Sequence, residues 1–340
     1  MRLDGSDPTA LDAAADRLAA GELVAFPTET VYGLGARADD DAAVARIFAA
    51  KGRPTDHPLI VHVTDSEQAR AFAAEWPPLA ERLAAAFWPG PLTLIVARQP
   101  HRATAAAAGQ ASIGLRCPDH PLAQALLAAA ARRGVAGVAA PSANRFGRIS
   151  PTTAAHVQAE FAEAGDAVTV LDGGPCAVGI ESAIVDCSRG RPVLLRPGSL
   201  SQERLAAAAG MPLAARDEAA PRASGTLEAH YAPRARLRLM PTAALADALA
   251  IWVEAENAVG ARRPAGPRLA VYSRTVRTPR AAALVARRMP DSARAAAYEL
   301  FAVLRELDAL GVALIWVEQP PPGADWAGVR DRLERAAAAA

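Results

Sequence analysis

Short apolar runs alternate along this chain with longer, alanine-rich stretches of helical spacing, and that alternation predicts an α/β fold. Residues 8–20 (PTALDAAADRLAA) read as a helix with Pro8 at its start and Gly21 past its end, and LVAFP at 23–27 follows as a short buried strand. Asp39 to Asp41 supply an N-cap and a negative first turn for a helix reaching about Ala50, where Gly52 and Pro54 stop it. PLIVHV at 58–63 predicts the next strand, then helices near 66–75 and 78–87, strands at 92–97, 112–116 and 135–140, and a helix at 121–132. The last of these strands runs out into Ser142-Ala143-Asn144, after which Ser150-Pro151 is expected to cap and start a helix. Asp172-Gly173-Gly174 reads as a turn, while AIVDC and PVLLRPGS read as strands.

The periodicity lapses from about Arg216 and restarts near Arg236, which predicts domains at 1–215 and 236–340 joined by a linker at 216–235. The second domain repeats the alternation: RLRLM, a helix at 242–257, RLAVYS, a helix at 291–309, VALIWVE and a final helix from Asp325. That order is expected to give a small parallel sheet with crossovers.

Composition narrows the function. At 340 residues and 51% apolar the chain can bury two cores, and a formal net charge of +1 gives no global attraction to nucleic acid or anionic lipid. Cys117, Cys176 and Cys187 are odd in number and form no CxxC pair, which argues against a disulfide framework and against a zinc site. No apolar run approaches the ~20 residues of a membrane helix, so the expectation is a cytoplasmic protein with no membrane partner.

Of the 37 Lys and Arg residues one is lysine, Lys51, and it stands two residues before Arg53. A chain that writes nearly every cation as arginine, yet keeps one compact ammonium, suggests a site with a distinct demand. The competing reading is that both cations complement a helix C-terminus. Ser142 and Asn144 likewise fit plain turn chemistry, and Arg116 and Arg196 fit ion-paired strand ends. The Walker GK[ST] and the GxGxxG of dinucleotide folds are missing, as are HExxH and GxSxG. What remains is scattered cations with small hydroxyl and amide residues, an inventory suited to a polyphosphate and a small zwitterion.

The ordered runs FPTETVYGLGA, KGRPTDHPLIVH, FWPGPLTLIV, SIGLRCPDHP, APSANRFGRISPT, GIESAIVD and LLRPGS resemble the YrdC-like family, and the tail from HYAP onward resembles the C-terminal domain of its two-domain members. The resemblance implies a twisted, mixed open sheet with helices, followed by a smaller Rossmann-like domain with a mostly parallel sheet. It implies an L-threonylcarbamoyladenylate synthase, a nucleotidyltransferase joining L-threonine, bicarbonate and ATP. Its product would feed the tRNA threonylcarbamoyl-transfer machinery, with at most a weak direct tRNA contact. The family's KxR and SxN pairs fall on Lys51, Arg53, Ser142 and Asn144. By the same resemblance Lys51, Arg53, His57, Ser112, Ser142, Ser150, Arg196 and Tyr231 would line the ATP site. Thr30, His62, Arg116, the backbone of Ala140, and Ser182 would hold threonine. Magnesium is expected on the triphosphate, with no protein metal cage.

Two departures stand out. Position 57 is His where the family often has Asn, and the linker reads ASGTLEAHYAP where a Pro-Gly-Met run is commoner, which puts the contacts of His230 and Tyr231 in question. A carbamoyl-transfer module of the hydrogenase-maturation type would carry an acylphosphatase segment and Cys-rich fingers that this chain lacks. A non-catalytic RNA-binding protein is disfavoured by the charge balance and by 5% aromatic content.

Overall fold

The computed structural model describes residues 1–259 and 266–339, which form two compact units. The first comprises Met1–Phe146 and Ser150–Thr226, and the second comprises Gly147–Ile149 and the chain from Leu227 onward. The stretch 216–235 is thus divided, its first part belonging to one unit and its last part to the other.

The first unit is built on a ten-stranded mixed sheet in the order β1-β8-β2-β3-β7-β4-β6-β5-β9-β10. Its strands are β1 (Arg2–Asp4), β2 (Leu23–Pro27), β3 (Tyr32–Arg37), β4 (Ile60–His62), β5 (Leu92–Ala97), β6 (Ser112–Arg116), β7 (Val138–Ala139), β8 (Val168–Asp172), β9 (Ala183–Asp186) and β10 (Val193–Arg196). Its helices are α1 (Pro8–Ala19), α2 (Asp41–Lys51), α3 (Ser66–Arg70), α4 (Pro78–Phe87), α5 (Pro121–Arg132), α6 (Ala154–Glu160) and α7 (Gln202–Ala209).

The period of two along each strand assigns its faces. Leu23, Ala25, Val61, Leu94, Val96 and Val185 bury one face in a large core with residues of α2, α4, α6 and α7. Val24, Phe26 and Val138 turn the other way and pack under Ala14 and Leu18 of α1 and Leu126 and Leu127 of α5. Those two helices cover only one end of that second face. Toward β10 it carries Ile60, Ile95, Ile184, Val193 and Leu195, and their cover is Ala223, Ala220 and Ala214 of an irregular strap rather than a helix. The half-face that no helix covers carries several of the candidate residues, Ser112, Arg116 and Arg196 among them.

Local chemistry explains the main departures from the pattern. Ser150-Pro151 does not start a helix: α6 begins at Ala154, capped by Thr153, whose side chain accepts from the His156 N–H. Ser150 instead donates its hydroxyl to Glu181, and the Pro151 carbonyl accepts from Tyr32 at 2.9 Å, so both are committed to the sheet. Strand β3 runs through YGLGAR, where a Cβ on Gly35 would lie 2.8 Å from Phe26 and Val138, so only glycine fits. The short strands β1 and β8 and helix α7 also lie where the pattern predicts no element.

The second unit holds a four-stranded, fully parallel sheet in the order β11-β14-β12-β13, from β11 (Arg236–Met240), β12 (Leu269–Ser273), β13 (Leu284–Arg288) and β14 (Leu314–Glu318). Helices α8 (Thr242–Val259), α9 (Ala293–Ala309) and α10 (Ala327–Ala338) connect and follow them. Leu245 and Leu249 of α8 pack on Leu269, Val271 and Trp316. At the carboxyl ends of β12 and β14 the buried Glu318 carboxylate accepts from the backbone N–H groups of Arg274 and Thr275 at 2.6 and 2.7 Å, from the Thr242 hydroxyl at 2.9 Å and from the Thr275 hydroxyl. Burial alone raises such a carboxyl, yet these donors outweigh it and hold Glu318 below the usual carboxylate range.

Candidate active site

Helix α2 is fixed at its start by Asp40, which accepts from Ala42 and Ala43 N–H groups at 3.0 Å, and at its end by Gly52 in the left-handed region at φ +61°. This places Lys51 on the last turn, 2% exposed. Its Nζ donates to the Ser142 carbonyl at 2.5 Å and to the Asn144 carbonyl, while the Lys51 carbonyl accepts from Phe146 N–H at 2.8 Å. The structure therefore brings the KxR and SxN pairs together, and it gives Lys51 the task of shaping the SxN loop. Burial, and then the charge of Arg53, push the lysine well below its usual value.

The other half of that loop is held by the sheet. Ser142 bridges Gly33, Ala143 N–H donates to the Tyr32 carbonyl at 2.8 Å, and the Ala140 N–H is taken by Ile60, leaving the Ala140 carbonyl as its remaining backbone group. Asn144 is 1% exposed and donates its amide to the Arg145 carbonyl at 2.7 Å.

Arg53 is buried beside them. Its guanidinium donates to the Pro58 carbonyl at 3.0 Å and reaches the Ser224 hydroxyl at 3.5 Å, and it lies 5.7 Å from the centroid of the Phe146 ring. His57 meets the same ring edge-on at 5.4 Å, and its pKa is lowered by burial and by Arg53, so the ring is neutral at pH 7.

Parity along the strands puts Ser112, Gly114 and Arg116 of β6, Ile60 and His62 of β4, and Thr93 of β5 on the half-face without helices, with His62 and Arg116 directly paired across parallel strands. His62 packs edge-on against Phe26, and burial followed by the Arg116 charge lowers its pKa to about 3. A bulge between Leu194 and Arg196 turns Arg196 onto the same face opposite Ile184. Arg196 donates to the Ser182 carbonyl at 3.1 Å, the Ser182 hydroxyl at 3.2 Å and the Ser224 carbonyl at 2.9 Å, and the Ser182 hydroxyl also bonds Thr93 at 2.8 Å. Ser182 and Arg196, assigned by resemblance to different substrates, are thus direct partners. Thr30 is fully buried, its hydroxyl 2.8 Å from that of Thr28. Tyr231 lies in the second unit, 1% exposed at φ +63°, between the Phe301 ring and the Arg332 guanidinium.

The sequence reading passed over three groups. Glu29 is buried and accepts from Arg116 at 2.6 Å, Glu181 is buried against Ser150, and Ser224 bonds both Arg53 and Arg196. The signal for the acids was present: Glu29 sits inside PTETV and Glu181 directly precedes Ser182, both beside largely apolar runs where an unpartnered carboxylate would not be tolerated.

A family model described as "Telomere recombination" matches residues 16–198, and one described as "Threonylcarbamoyl-AMP synthase, C-terminal domain" matches residues 200–338. The chain belongs to the Sua5–YciO–YrdC family. Among members called threonylcarbamoyl-AMP synthase, the Bacillus subtilis protein is 43% identical over 70% of this chain and 68% of its own length. The Schizosaccharomyces pombe protein is 32% identical over 92% of this chain and 84% of its own. The crystal structure of Pyrococcus abyssi Sua5 complexed with L-threonine aligns with a TM-score of 0.86 at 32% identity, covering 100% of this chain and 97% of that one. The two-domain form of the family, with a large mixed sheet and a small parallel one, is the architecture described above.

Proposed function

We infer that the protein is a threonylcarbamoyl-AMP synthase, joining L-threonine, bicarbonate and ATP into threonylcarbamoyl-AMP with release of pyrophosphate. The observation that carries this reading is the helix-free half-face, where Arg53, Arg116 and Arg196 converge with small hydroxyls, in a chain that matches its relatives across both domains.

On this reading Arg116 pairs with the threonine carboxylate, while Thr30, neutral His62, Ser182 and the Ala140 carbonyl surround the rest of the amino acid. Arg53 and Arg196, with His57, Ser112 and Ser150 nearby, take the nucleotide and its phosphates. The threonine nitrogen and bicarbonate form a carbamate with loss of water. A carbamate oxygen then attacks the α-phosphorus, forming the mixed anhydride as the bond to pyrophosphate breaks. Positioning and charge neutralisation suffice for such a step, and no covalent nucleophile is required. Magnesium would ride on the triphosphate oxygens and water, hard ligands that suit it. The product would pass to the machinery that transfers threonylcarbamoyl to tRNA.

The cleft lined by Ile60, Thr93, Ser112, Ile184, Arg222 and Ser224 has about 10 Å³ of free space, room for roughly one water. Of the residues assigned to ATP, Ser112 lines this cleft beneath the strap at Arg222–Ser224, so a nucleotide that reaches Ser112 there would displace the strap. The test is pyrophosphate release by the purified protein without RNA. Release that requires both threonine and bicarbonate is expected. Threonine-independent release would reject the reading.

A further inference from the structure

We propose that Glu29 is the positioning residue that sets Arg116 for the amino-acid carboxylate, an inference that rests on the reading of Arg116 as the threonine clamp. Glu29 occupies the turn between β2 and β3, and its own backbone is fixed: Val178 N–H donates to its carbonyl at 2.7 Å, and the Thr28 hydroxyl closes the turn onto the Val31 carbonyl at 2.7 Å. From that anchored backbone the carboxylate uses both oxygens. One accepts from Arg116 Nη2 at 2.6 Å, and the other accepts from Asp119 N–H at 3.0 Å. The side chain thereby ties the end of β6 and the loop beyond it to the turn before β3.

The consequence falls on the guanidinium. Arg116 is 4% exposed and Glu29 6% exposed, so the two neutralise one another where neither charge could stand alone. Arg116 also directs Nε toward the Gly90 carbonyl at 3.4 Å. With Nε and Nη2 engaged on fixed groups, the plane of the fork is set, and Nη1 carries no hydrogen bond among the described residues. That remaining edge suits a carboxylate from a small zwitterion, and a planar fork binds such a group well only if its orientation is determined beforehand. In this role Glu29 makes no contact with the amino acid itself. It acts through Arg116.

A double-mutant cycle on the full chain, reading the KM of threonine and of ATP separately, distinguishes this role from mere support of the fold. Glu29→Gln keeps the length and one acceptor but offers Asp119 N–H a donor instead of an acceptor. It is expected to raise the threonine KM about tenfold, with the ATP KM within about twofold of wild type. Arg116→Ala is expected to raise the threonine KM about a hundredfold, and adding Glu29→Gln to it should change nothing further. Should Glu29→Gln fail to fold, Glu29→Asp, which keeps the charge but retracts it by one methylene, is expected to show the same pattern at about threefold. Unchanged threonine KM in a folded Glu29 variant, equal movement of both KM values, or an additive double mutant each overturns the proposal while leaving the threonine clamp intact. Arg116→Ala with a wild-type threonine KM overturns the clamp itself and this inference with it.

Discussion

Lys51 is held between two carbonyls of the SxN loop with almost no exposed surface, so its replacement is a question of shape as much as of charge. Alanine leaves the loop carbonyls unsatisfied, and synthesis by Lys51→Ala is expected to fall at least a hundredfold. Lys51→Arg must fit a planar fork into a space filled by a single nitrogen, and overpacking there should cost at least tenfold. Measured pyrophosphate release from Lys51→Arg at the wild-type rate would refute the argument that the site needs an ammonium. His62 carries a prediction of a different kind. Its pKa of about 3 in the fold against an ordinary 6.5 means that the unfolded chain binds more protons between those values. Stability conferred by keeping the ring neutral is therefore complete above pH 6.5 and is lost as the pH falls toward 3, at about 1.4 kcal/mol per pH unit for one group. His57 and His120 are shifted in the same direction and add to the trend. Urea unfolding at pH 6 and pH 5 should show His62→Gln with a shallower pH dependence than wild type, and identical slopes would count against it.

At the scale of elements, the decisive feature is a face covered by two helices at one end and by a strap at the other. Ala223 packs with Ile60, Ile95 and Ile184, Arg196 and Arg53 bond Ser224, and Gln110 exchanges two hydrogen bonds with Arg222 at 2.9 and 3.2 Å. Those same arginines are the candidates for the phosphates, so strap and nucleotide compete for them. Limited trypsin digestion should accordingly cut at Arg222 faster when ATP and magnesium are present than without them, with mass spectrometry identifying the site. Protection of Arg222 by ATP would contradict displacement of the strap.

The two units differ in what stabilises them. The large unit rests on a sheet with apolar cores on both faces, whereas the small unit places a buried carboxylate, Glu318, at the ends of its parallel strands as a common acceptor for one loop and for Thr242. Removing it takes the acceptor from two partly buried N–H groups, at up to about 1–3 kcal/mol each where water does not replace it. Glu318→Ala is expected to lower the unfolding midpoint of the C-terminal unit, and the threonine KM of the folded protein should stay within about twofold of wild type. A midpoint equal to wild type would show that the network contributes nothing. Among the described residues no helix is long and apolar enough to cross a membrane.

What the sequence determined by itself was periodic or local. Helices α1, α2 and α5, the strands at 23–27, 92–97 and 112–116, and the parallel sheet of the second unit follow from apolar spacing, from Asp40 and Gly52 as caps, and from alternation of strands with helices. The ordered motifs named the family and brought forward Lys51, Arg53, Ser142 and Asn144. Tertiary structure alone decided the partners. Ser150 binds Glu181 instead of capping a helix, Ser182 serves both Arg196 and Thr93, and Glu29 faces Arg116 from 87 residues away. A buried charge declares that it needs a counter-charge, but only the folded chain brings one within 2.6 Å, because such a pair is set by which strands become neighbours and not by spacing along the sequence.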